Sequence, residues 1–340
     1  MIVSVSRNTL DRAAAILKAG GLVAFPTETV YGLGGDAFNP RALAGIFAAK
    51  ERPFFDPLII HIADMKDLEK AADPGALPPA ARRRLEVLSS KFWPGPLTLI
   101  LPRRPELPDL ATSGLATAAV RFPSHPAARE LIRRIGAVAA PSANRFGRLS
   151  PTRAEHVEEQ LGGKIDLVLD GGRTGVGLES TVLDLCGAFP RILRPGGLAR
   201  EAIEEAVGPV AMGPAEGGGP AGEGPSASPG MLKSHYAPGT PLVLCGSWED
   251  IPDDPAAALL FFSGSSREKF LARFPLYDSE LRLKVLSGPG DRTEAAANFF
   301  DMLHELDRAG FSRIYAEKAP DGGLGDAIND RLSRASIFRK

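Results

Sequence analysis

The chain has 340 residues, of which 44% are hydrophobic and 24% are charged, and this length and composition are typical of a globular protein with two domains or one large one. Its formal net charge of −1 argues against a broad nucleic-acid-binding face. The two cysteines form no disulfide or metal pattern, and the lack of a signal peptide and of a membrane-spanning apolar run predicts a cytoplasmic protein.

The first two hundred residues alternate between helix-like and strand-like segments, which predicts an α/β domain. Asn39 before Pro40 is typical of a capped helix start, and we expect that helix to run to about Ala49. Thr152 and Glu155 match a capping box, which predicts another helix start. Hydrophobic periodicity predicts helices over residues 9–19, 78–92, 126–135 and up to 161, and strands over residues 21–25, 58–62, 96–101, 117–122, 137–140, 180–185 and 191–193.

A change of composition separates two domains. Residues 209–230 are rich in glycine and proline and nearly free of large apolar residues, so they cannot bury enough surface to fold alone. We expect order to return near Met231, and we assign residues 1–208 to a first domain, 209–240 to a linker and 241–340 to a smaller α/β domain. The elements predicted for this second domain are strands over residues 242–244, 259–262 and 311–316 and helices over residues 293–309 and 324–335.

The segment from Pro26 to Gly34 is the most informative motif. It follows an apolar strand-like run, and it brings hydroxyls, a carboxylate and a phenol together. Gly32, Gly34 and the following Gly35 would let the backbone turn sharply. A polar loop at the end of a strand is where an α/β protein places a ligand site, although an ordinary strand-to-helix turn would have the same composition.

Further motifs follow in a fixed order along the chain. They are Lys50-Glu51-Arg52-Pro53 with Asp56-Pro57 and His61, Thr117 to Pro123, Pro141-Ser142-Ala143-Asn144, Glu179-Ser180-Thr181-Val182 and Ser234-His235-Tyr236-Ala237-Pro238. As an ordered set they resemble the YrdC-like threonylcarbamoyl-AMP synthases, in their long two-domain form. The resemblance implies a YrdC-like domain with a twisted mixed β-sheet and a concave, charged face, followed by a smaller Rossmann-like α/β domain.

The resemblance also implies a nucleotidyltransferase that joins L-threonine, bicarbonate and ATP into threonylcarbamoyl-AMP and releases pyrophosphate, for the threonylcarbamoyladenosine modification of tRNA at A37. The carbamate oxygen would attack the α-phosphate in line, without a covalent enzyme intermediate. Catalysis would rest on positioning and charge stabilisation. The product would pass to a tRNA threonylcarbamoyl transferase, and we expect neither stable tRNA binding nor a membrane partner.

Cations must hold the phosphates if ATP binds, because the chain contains no Walker loop and no metal-ligand histidine pair. Arginine suits phosphate through its planar fork, and lysine supplies a point charge. The candidates are Lys50, Arg52 and Arg194. The sequence is equally compatible with three surface cations that have no common ligand. The resemblance implies that Lys50 and Arg52 are catalytic and that Mg²⁺ arrives with the ATP phosphates.

Arg121 lies in an apolar strand, where an unpaired charge would be costly, so we expect an anionic partner. That partner could be a structural carboxylate or the carboxylate of a substrate. His61 likewise could be a core histidine that closes a strand. The resemblance implies that the threonine-binding residues are Thr29, His61, Arg121, Ala140 and Ser180. Hydroxyls and an imidazole would favour threonine over valine.

The resemblance implies a larger set of ATP-binding residues. They are Lys50, Arg52, Asp56, Thr117, Ser142, Asn144, Ser150, Arg194 and Tyr236. Tyr236 would reach back from beyond the linker, so that the linker acts as a lid that excludes water. Asp56 stands where an asparagine is common in the family, and its charge would repel triphosphate unless it helps to hold Mg²⁺. Phe146 replaces a small polar residue, so we expect its loop to pack differently.

Two other functions suit the same fold. One is an RNA-binding module with a concave cationic face, which the near-neutral charge and the few aromatic residues disfavour. The other is a carbamoyl-transfer accessory domain, as in hydrogenase maturation. That function would require zinc-finger or acylphosphatase-like segments, and this chain contains none.

Overall fold

The computed structural model describes residues 1–213, 235–275 and 281–337. Within these residues the chain forms an 11-stranded mixed sheet and a separate 4-stranded parallel sheet, with helices packed against both. Among the described residues, no helix combines the length and the apolar character needed to cross a membrane. The α/β fold class predicted from the sequence is confirmed.

The helices of the described residues are α1 (Arg7–Lys18), α2 (Pro40–Lys50), α3 (Leu68–Ala71), α4 (Pro79–Phe92), α5 (Asp109–Thr112), α6 (Pro126–Ile135), α7 (Ala154–Leu161), α8 (Arg200–Val207), α9 (Gly264–Arg273), α10 (Arg292–Arg308) and α11 (Gly325–Ala335). The strands of the large sheet are β1 (Ile2–Ser4), β2 (Val23–Phe25), β3 (Gly32–Asp36), β4 (Ile59–His61), β5 (Leu97–Pro102), β6 (Thr117–Arg121), β7 (Val138–Ala139), β8 (Leu167–Asp170), β9 (Thr181–Asp184), β10 (Arg191–Arg194) and β11 (Ala211–Met212). The small sheet contains β12 (Leu242–Cys245), β13 (Ala257–Ser263), β14 (Leu283–Ser287) and β15 (Arg313–Glu317).

The strand order of the large sheet positions the polar residues. The order is β1-β8-β2-β3-β7-β4-β6-β5-β9-β10-β11. Strands β4 and β6 are parallel neighbours, and their register sets His61 beside Arg121. Strands β5 and β9 are also parallel, and Thr181 at the start of β9 pairs with Leu97. Side chains that lie far apart in the sequence therefore meet near the centre of one sheet.

The polar loop predicted over Pro26 to Gly34 is partly a strand. Gly32 and Gly34 lie in β3, which pairs antiparallel with β2. A Cβ atom on Gly34 would lie 2.7 Å from a ring carbon of Phe25 and 2.9 Å from the side chain of Val138. The sharp turn that we predicted at these glycines is wrong, because they serve close packing between neighbouring strands.

The helix-start predictions had opposite outcomes. The Asn39 side chain accepts a hydrogen bond from the Arg41 amide at 3.0 Å, and α2 begins at the next residue, Pro40, as predicted. The capping box at Thr152 and Glu155 is wrong. Helix α7 has Arg153 as its N-cap, so Glu155 is one position too early for a capping box, and the Thr152 amide donates to His156 Nδ1 at 3.3 Å instead.

The predicted linker begins inside the large sheet. Residues 211–212 form β11, which pairs with β10. Residues 214–234, including the predicted return of order at Met231, lie outside the described residues. Of the predicted lid, the structure describes residues 209–213 and 235–240, and the second range includes His235 and Tyr236.

An apolar cluster joins the two domains. Val30, Leu149 and Leu178 of the first domain belong to the same buried cluster as Phe299 and Phe300 of α10. Tyr236 also belongs to this cluster. The second domain is thereby packed directly against the polar segments that follow the strands of the large sheet.

Candidate functional site

A pocket opens where the central strands of the large sheet meet the second domain. Its space amounts to about 520 Å³ when the part open to solvent is included. Residues from the strand ends, the following loops and the end of the linker surround it. Its lining consists of Thr27, Thr29, Val30, Tyr31, Gly32, Arg52, Ile59, His61, Arg121, Ala140, Pro141, Ser142, Glu179, Ser180, Arg194, His235 and Tyr236.

Lys50 is the last residue of α2, and its side chain is almost fully buried. Its Nζ donates to the carbonyl oxygens of Ser142 at 2.5 Å and Asn144 at 2.6 Å. Burial, reinforced by the charge of Arg52 and opposed by Asp56, lowers the pKa of Lys50 well below its ordinary value. Lys50 thus lies directly behind Ser142 in the pocket wall without lining the pocket itself.

Arg52 lines the pocket and is held from behind. Its Nε donates to the carbonyl oxygen of Asp56 at 3.0 Å, and its guanidinium also donates to the carbonyl of Pro57 at 2.7 Å. The Asp56 carboxylate, which is completely buried, forms an ion pair with Arg52 at 2.9 Å. Asp56 does not line the pocket, so its observed contact is with Arg52 rather than with the space that a nucleotide would enter.

Arg121 has the anionic partner that its burial predicts. Its guanidinium donates to Glu28 Oε1 at 2.6 Å, and Glu28 Oε2 accepts from the Ser124 amide at 3.1 Å. Glu28 was missed as a functional residue, although it stands inside the polar motif that begins at Pro26. Only one guanidinium edge is engaged by the carboxylate, while the Nε donates to the Gly95 carbonyl at 3.3 Å.

His61 is neutral in the folded protein. Burial, together with the neighbouring charge of Arg121, lowers the pKa of His61 to about 3. Its Nδ1 lies 3.2 Å from the carbonyl oxygen of Ile59, and because a carbonyl can only accept, Nδ1 carries the proton. The other ring nitrogen, Nε2, is therefore a hydrogen-bond acceptor at the pocket wall.

Small hydroxyl side chains surround the same part of the pocket. Thr29 and Thr27 share a hydrogen bond at 2.8 Å, and Thr27 Oγ1 donates to the Val30 carbonyl at 2.6 Å. Ser180 Oγ is 2.7 Å from the hydroxyl of Thr98. Ala140 contributes only a methyl group, and its amide is bonded to the Ile59 carbonyl at 2.9 Å.

Arg194 and Glu179 form the opposite wall. Arg194 ends β10 and donates to the carbonyl of Ser180 at 2.9 Å. One oxygen of Glu179 accepts from the Ser150 hydroxyl, and the other accepts from Arg331 of α11 at 3.0 Å. Burial opposes the ionisation of Glu179, but the charges of Arg331 and Arg194 outweigh it and hold the pKa of Glu179 below its usual value.

The end of the predicted linker contributes His235 and Tyr236 to the pocket lining. Tyr236 is 1% exposed, has a left-handed backbone (φ 62°), and its hydroxyl has no hydrogen-bond partner among the described residues. The ring of His235 packs edge-on against Phe146, with 5.6 Å between centroids, and Arg52 lies 6.0 Å from the centre of the Phe146 ring. Phe146 therefore links the end of the predicted linker to a pocket cation, and the expectation that its loop packs differently from that of the family stays a prediction.

The structure brings most of the predicted residues to one pocket. Those in the lining are Thr29, Arg52, His61, Arg121, Ala140, Ser142, Ser180, Arg194 and Tyr236. Those outside the lining are Lys50, Asp56, Thr117, Asn144 and Ser150. Asn144 directs its amide nitrogen at the carbonyls of Arg145 and Arg148. Thr117 begins β6, the strand that Arg121 ends, and pairs with Pro102.

Two of the residues missed by sequence reasoning carry charge in or beside the wall. Glu179 is adjacent to Ser180 in a motif that we singled out, so its position was a usable signal. Arg331 had no such signal, because an arginine on an amphipathic helix is typical of a solvated face. Its side chain is instead completely buried.

Comparisons with known proteins identify relatives of the chain over nearly its whole length. Residues 15–196 match the family described as "Telomere recombination", and residues 198–336 match "Threonylcarbamoyl-AMP synthase, C-terminal domain". A threonylcarbamoyl-AMP synthase of Bacillus subtilis is 41% identical over 98% of this chain and 94% of its own length. One of Pyrococcus abyssi is 41% identical over 96% of this chain and 94% of its own length.

A solved structure extends the likeness to three dimensions. The crystal structure of P. abyssi Sua5 complexed with L-threonine superposes with a TM-score of 0.82 at 38% identity, and the match covers 99% of this chain and 96% of that one. Both domains are included in this match. The resemblance stated from the sequence motifs is confirmed, and the chain belongs to the threonylcarbamoyl-AMP synthase family.

Proposed function

We propose that the pocket makes L-threonylcarbamoyl-AMP from L-threonine, bicarbonate and ATP, with release of pyrophosphate. The observation that carries this proposal is that two chemically different sets of side chains line one pocket. Arg52 and Arg194 bring positive charge, and Lys50 lies behind Ser142. Hydroxyls, a neutral imidazole and Arg121 form the other set. We assign the first set to a cationic end of the pocket and the second to a hydroxyl and imidazole end.

The hydroxyl and imidazole end suits L-threonine. Arg121 would bind the substrate carboxylate with the part of its guanidinium that Glu28 does not engage. His61 Nε2 would accept the proton of the threonine hydroxyl, because the ring is neutral and Nδ1 already donates to Ile59. Valine cannot make that bond, so its binding would leave a buried acceptor unpaired.

The cationic end suits the phosphates of ATP. The amine of threonine would form a bond to the carbon of bicarbonate or carbon dioxide, which produces a carbamate, and bicarbonate would lose its hydroxyl as water. A carbamate oxygen would then bond to the α-phosphorus as the bond to pyrophosphate breaks. Arg52, Arg194 and Lys50 would stabilise the charge that moves to pyrophosphate. Phosphate would also raise the pKa of Lys50, since a nearby anion favours the ammonium form.

Mg²⁺ fits this pocket as a companion of ATP rather than as a resident ion. Among the described residues there is no group of three or more histidine, cysteine or acidic side chains that could hold a metal. Mg²⁺ commonly binds through substrate phosphates and water, and there it neutralises phosphate charge. Asp56 is committed to the ion pair with Arg52, which disfavours the alternative in which Asp56 holds the metal.

The remaining partners follow from the product. Threonylcarbamoyl-AMP is a mixed anhydride that water destroys, so a tRNA threonylcarbamoyl transferase would take it up directly or after diffusion. The lid motion of the linker, the cytoplasmic location and the lack of stable tRNA binding stay predictions.

The test is pyrophosphate release from ATP by the purified full chain, with L-threonine, bicarbonate and Mg²⁺ omitted one at a time. We expect release to require all three and to fail when L-valine replaces L-threonine. Release that ignores threonine would contradict the proposal. No release together with steeply salt-dependent RNA binding would instead support the RNA-binding alternative.

A further inference from the structure

We propose that Arg331, from the last helix of the second domain, is a positioning residue of the nucleotide end of the pocket: it neutralises and orients Glu179 so that a polyanionic nucleotide can bind beside that carboxylate. The inference deepens the proposed function and rests on it for the identity of the nucleotide as ATP. It also assigns a task to the second domain.

The geometry around Arg331 carries the proposal. Its side chain is 0% exposed, and both its Nε and a terminal nitrogen donate to the same oxygen of Glu179 at 3.0 Å. Glu179 lines the pocket together with Arg194. The other oxygen of Glu179 accepts from Ser150, so the carboxylate is fixed from two sides.

Helix α11 also holds the linker end in place. The guanidinium of Arg331 lies 5.2 Å from the centre of the Tyr236 ring, which is a cation–π distance. The carbonyl of Arg334, one turn later, accepts from the His235 amide at 3.4 Å. Arg331 is thus in contact with two pocket residues that come from different parts of the chain.

Charge explains why this contact matters for a nucleotide. A carboxylate in a poorly hydrated wall repels phosphate strongly, because little water screens the interaction. A buried carboxylate without a partner would also compete for Arg194, one of the cations that we assign to the phosphates. Arg331 supplies the partner that Glu179 needs. Its other carboxylate contact, with Asp330 at 3.1 Å, lies outside the pocket lining, and Asp330 is also paired with Arg334 at 2.9 Å.

The experiment measures the dissociation constant of ATP by calorimetry and, separately, its KM in pyrophosphate release. We expect Arg331→Met to weaken ATP binding about tenfold or more, while the KM for L-threonine changes by less than about twofold. Arg331→Lys keeps the charge but loses the two-nitrogen contact with Glu179, so its ATP affinity should lie between that of the unmodified protein and that of Arg331→Met. Glu179→Gln added to Arg331→Met should restore most of the lost ATP affinity, because the carboxylate that lost its partner is then gone.

The matched control is Arg153→Met. Arg153 also crosses between the domains, where it pairs with Asp301 at 2.7 Å, but neither residue lines the pocket. We expect its ATP affinity to be unchanged. If Arg331 served only to dock the domains, Arg153→Met would have a similar effect and Glu179→Gln would rescue nothing.

Several outcomes would overturn the inference: unchanged ATP affinity in Arg331→Met, a double variant as weak as the single one, or Arg331→Lys as weak as Arg331→Met. Should Arg331→Met not fold, Arg331→Lys and the double variant decide the matter. Because calorimetry needs no turnover, ATP binding without threonine-dependent release would contradict the proposed function and still test the role of Arg331.

Discussion

Charged side chains occur in two settings in this protein, around the pocket and at the outer part of the domain interface, and the two differ in how charge is held. Lys50, Arg52 and Arg194 are at most 7% exposed. At the interface, Arg153 and Arg308 have side chains that are 44% and 46% exposed. The three pocket cations are therefore far more buried than these two interface arginines.

The partners of these cations differ only in part. Lys50 is bonded to two backbone carbonyls, and Arg52 and Arg194 also donate to carbonyls. A carbonyl holds a cation without cancelling its charge, so it leaves positive potential for a ligand. Arg52 is in addition paired with the Asp56 carboxylate, as Arg153 and Arg308 are paired with carboxylates at the interface. The comparison teaches that burial separates the pocket cations from these interface arginines more sharply than the kind of bonding partner does.

The largest effect is expected for Lys50→Met. This change removes the charge and keeps most of the side-chain volume, and we expect kcat to fall by about 10² to 10³ while the thermal midpoint changes little. The measurement is pyrophosphate release under saturating substrates. Lys164→Met is the control, since Lys164 pairs with Glu51 at the surface. If the thermal midpoint of Lys50→Met fell as much as its activity, Lys50 would have a structural role, and the comparison would be contradicted.

Arg121→Gln should have the next largest effect, confined to threonine. We expect the KM for L-threonine to rise about tenfold or more, because one charge-assisted bond to its carboxylate is lost. Calorimetry of L-threonine without ATP checks this. The single change also leaves Glu28 without its guanidinium partner, so Arg121→Gln with Glu28→Gln is the control for stability. Normal threonine affinity in both variants would assign Arg121 a structural role only.

Stability should fall as the pH is lowered through the histidine range. Burial, with the charges of His304 and Arg308, lowers the pKa of His156 to about 3, and burial lowers that of His304 to about 4. An unfolded histidine binds its proton near pH 6.5, so below that pH the unfolded state gains protons that the folded state excludes. We expect each group to remove up to about 1.4 kcal/mol per pH unit between about pH 6.5 and 4.5.

The stacked pair offers a direct check of that pH dependence. The rings of His156 and His304 are 3.8 Å apart at the domain interface. His304→Phe should make the urea midpoint less dependent on pH over this range. A slope equal to that of the unmodified protein would mean that His304 does not contribute.

The smallest effect is expected for Arg308→Ala. The pair of Arg308 with Glu159 is half exposed on both sides and should contribute less than about 1 kcal/mol to the free energy of unfolding. Turnover should be unchanged. A loss of activity here would show that docking and binding charges are not separate, and it would weaken the contrast drawn above.

Local patterns predicted much of the fold and of the site. The Asn39 cap and the strands that carry His61 and Arg121 followed from short-range chemistry. The failures came where packing overrode it. Glycine is also typical of turns, which is why we predicted one at position 34. Gly34 instead lies in a strand, and the ring of Phe25 occupies the space that a side chain there would need.

By itself the sequence determined the family, the order of the motifs and most of the residue types in the pocket, because these depend on near neighbours in the chain. Only the tertiary structure decided which charges meet. Arg121 and Glu28 are 93 residues apart, and Arg331 and Glu179 are 152 residues apart in different domains. Such pairs depend on strand order and domain packing, which bring distant segments together and which no local spacing encodes.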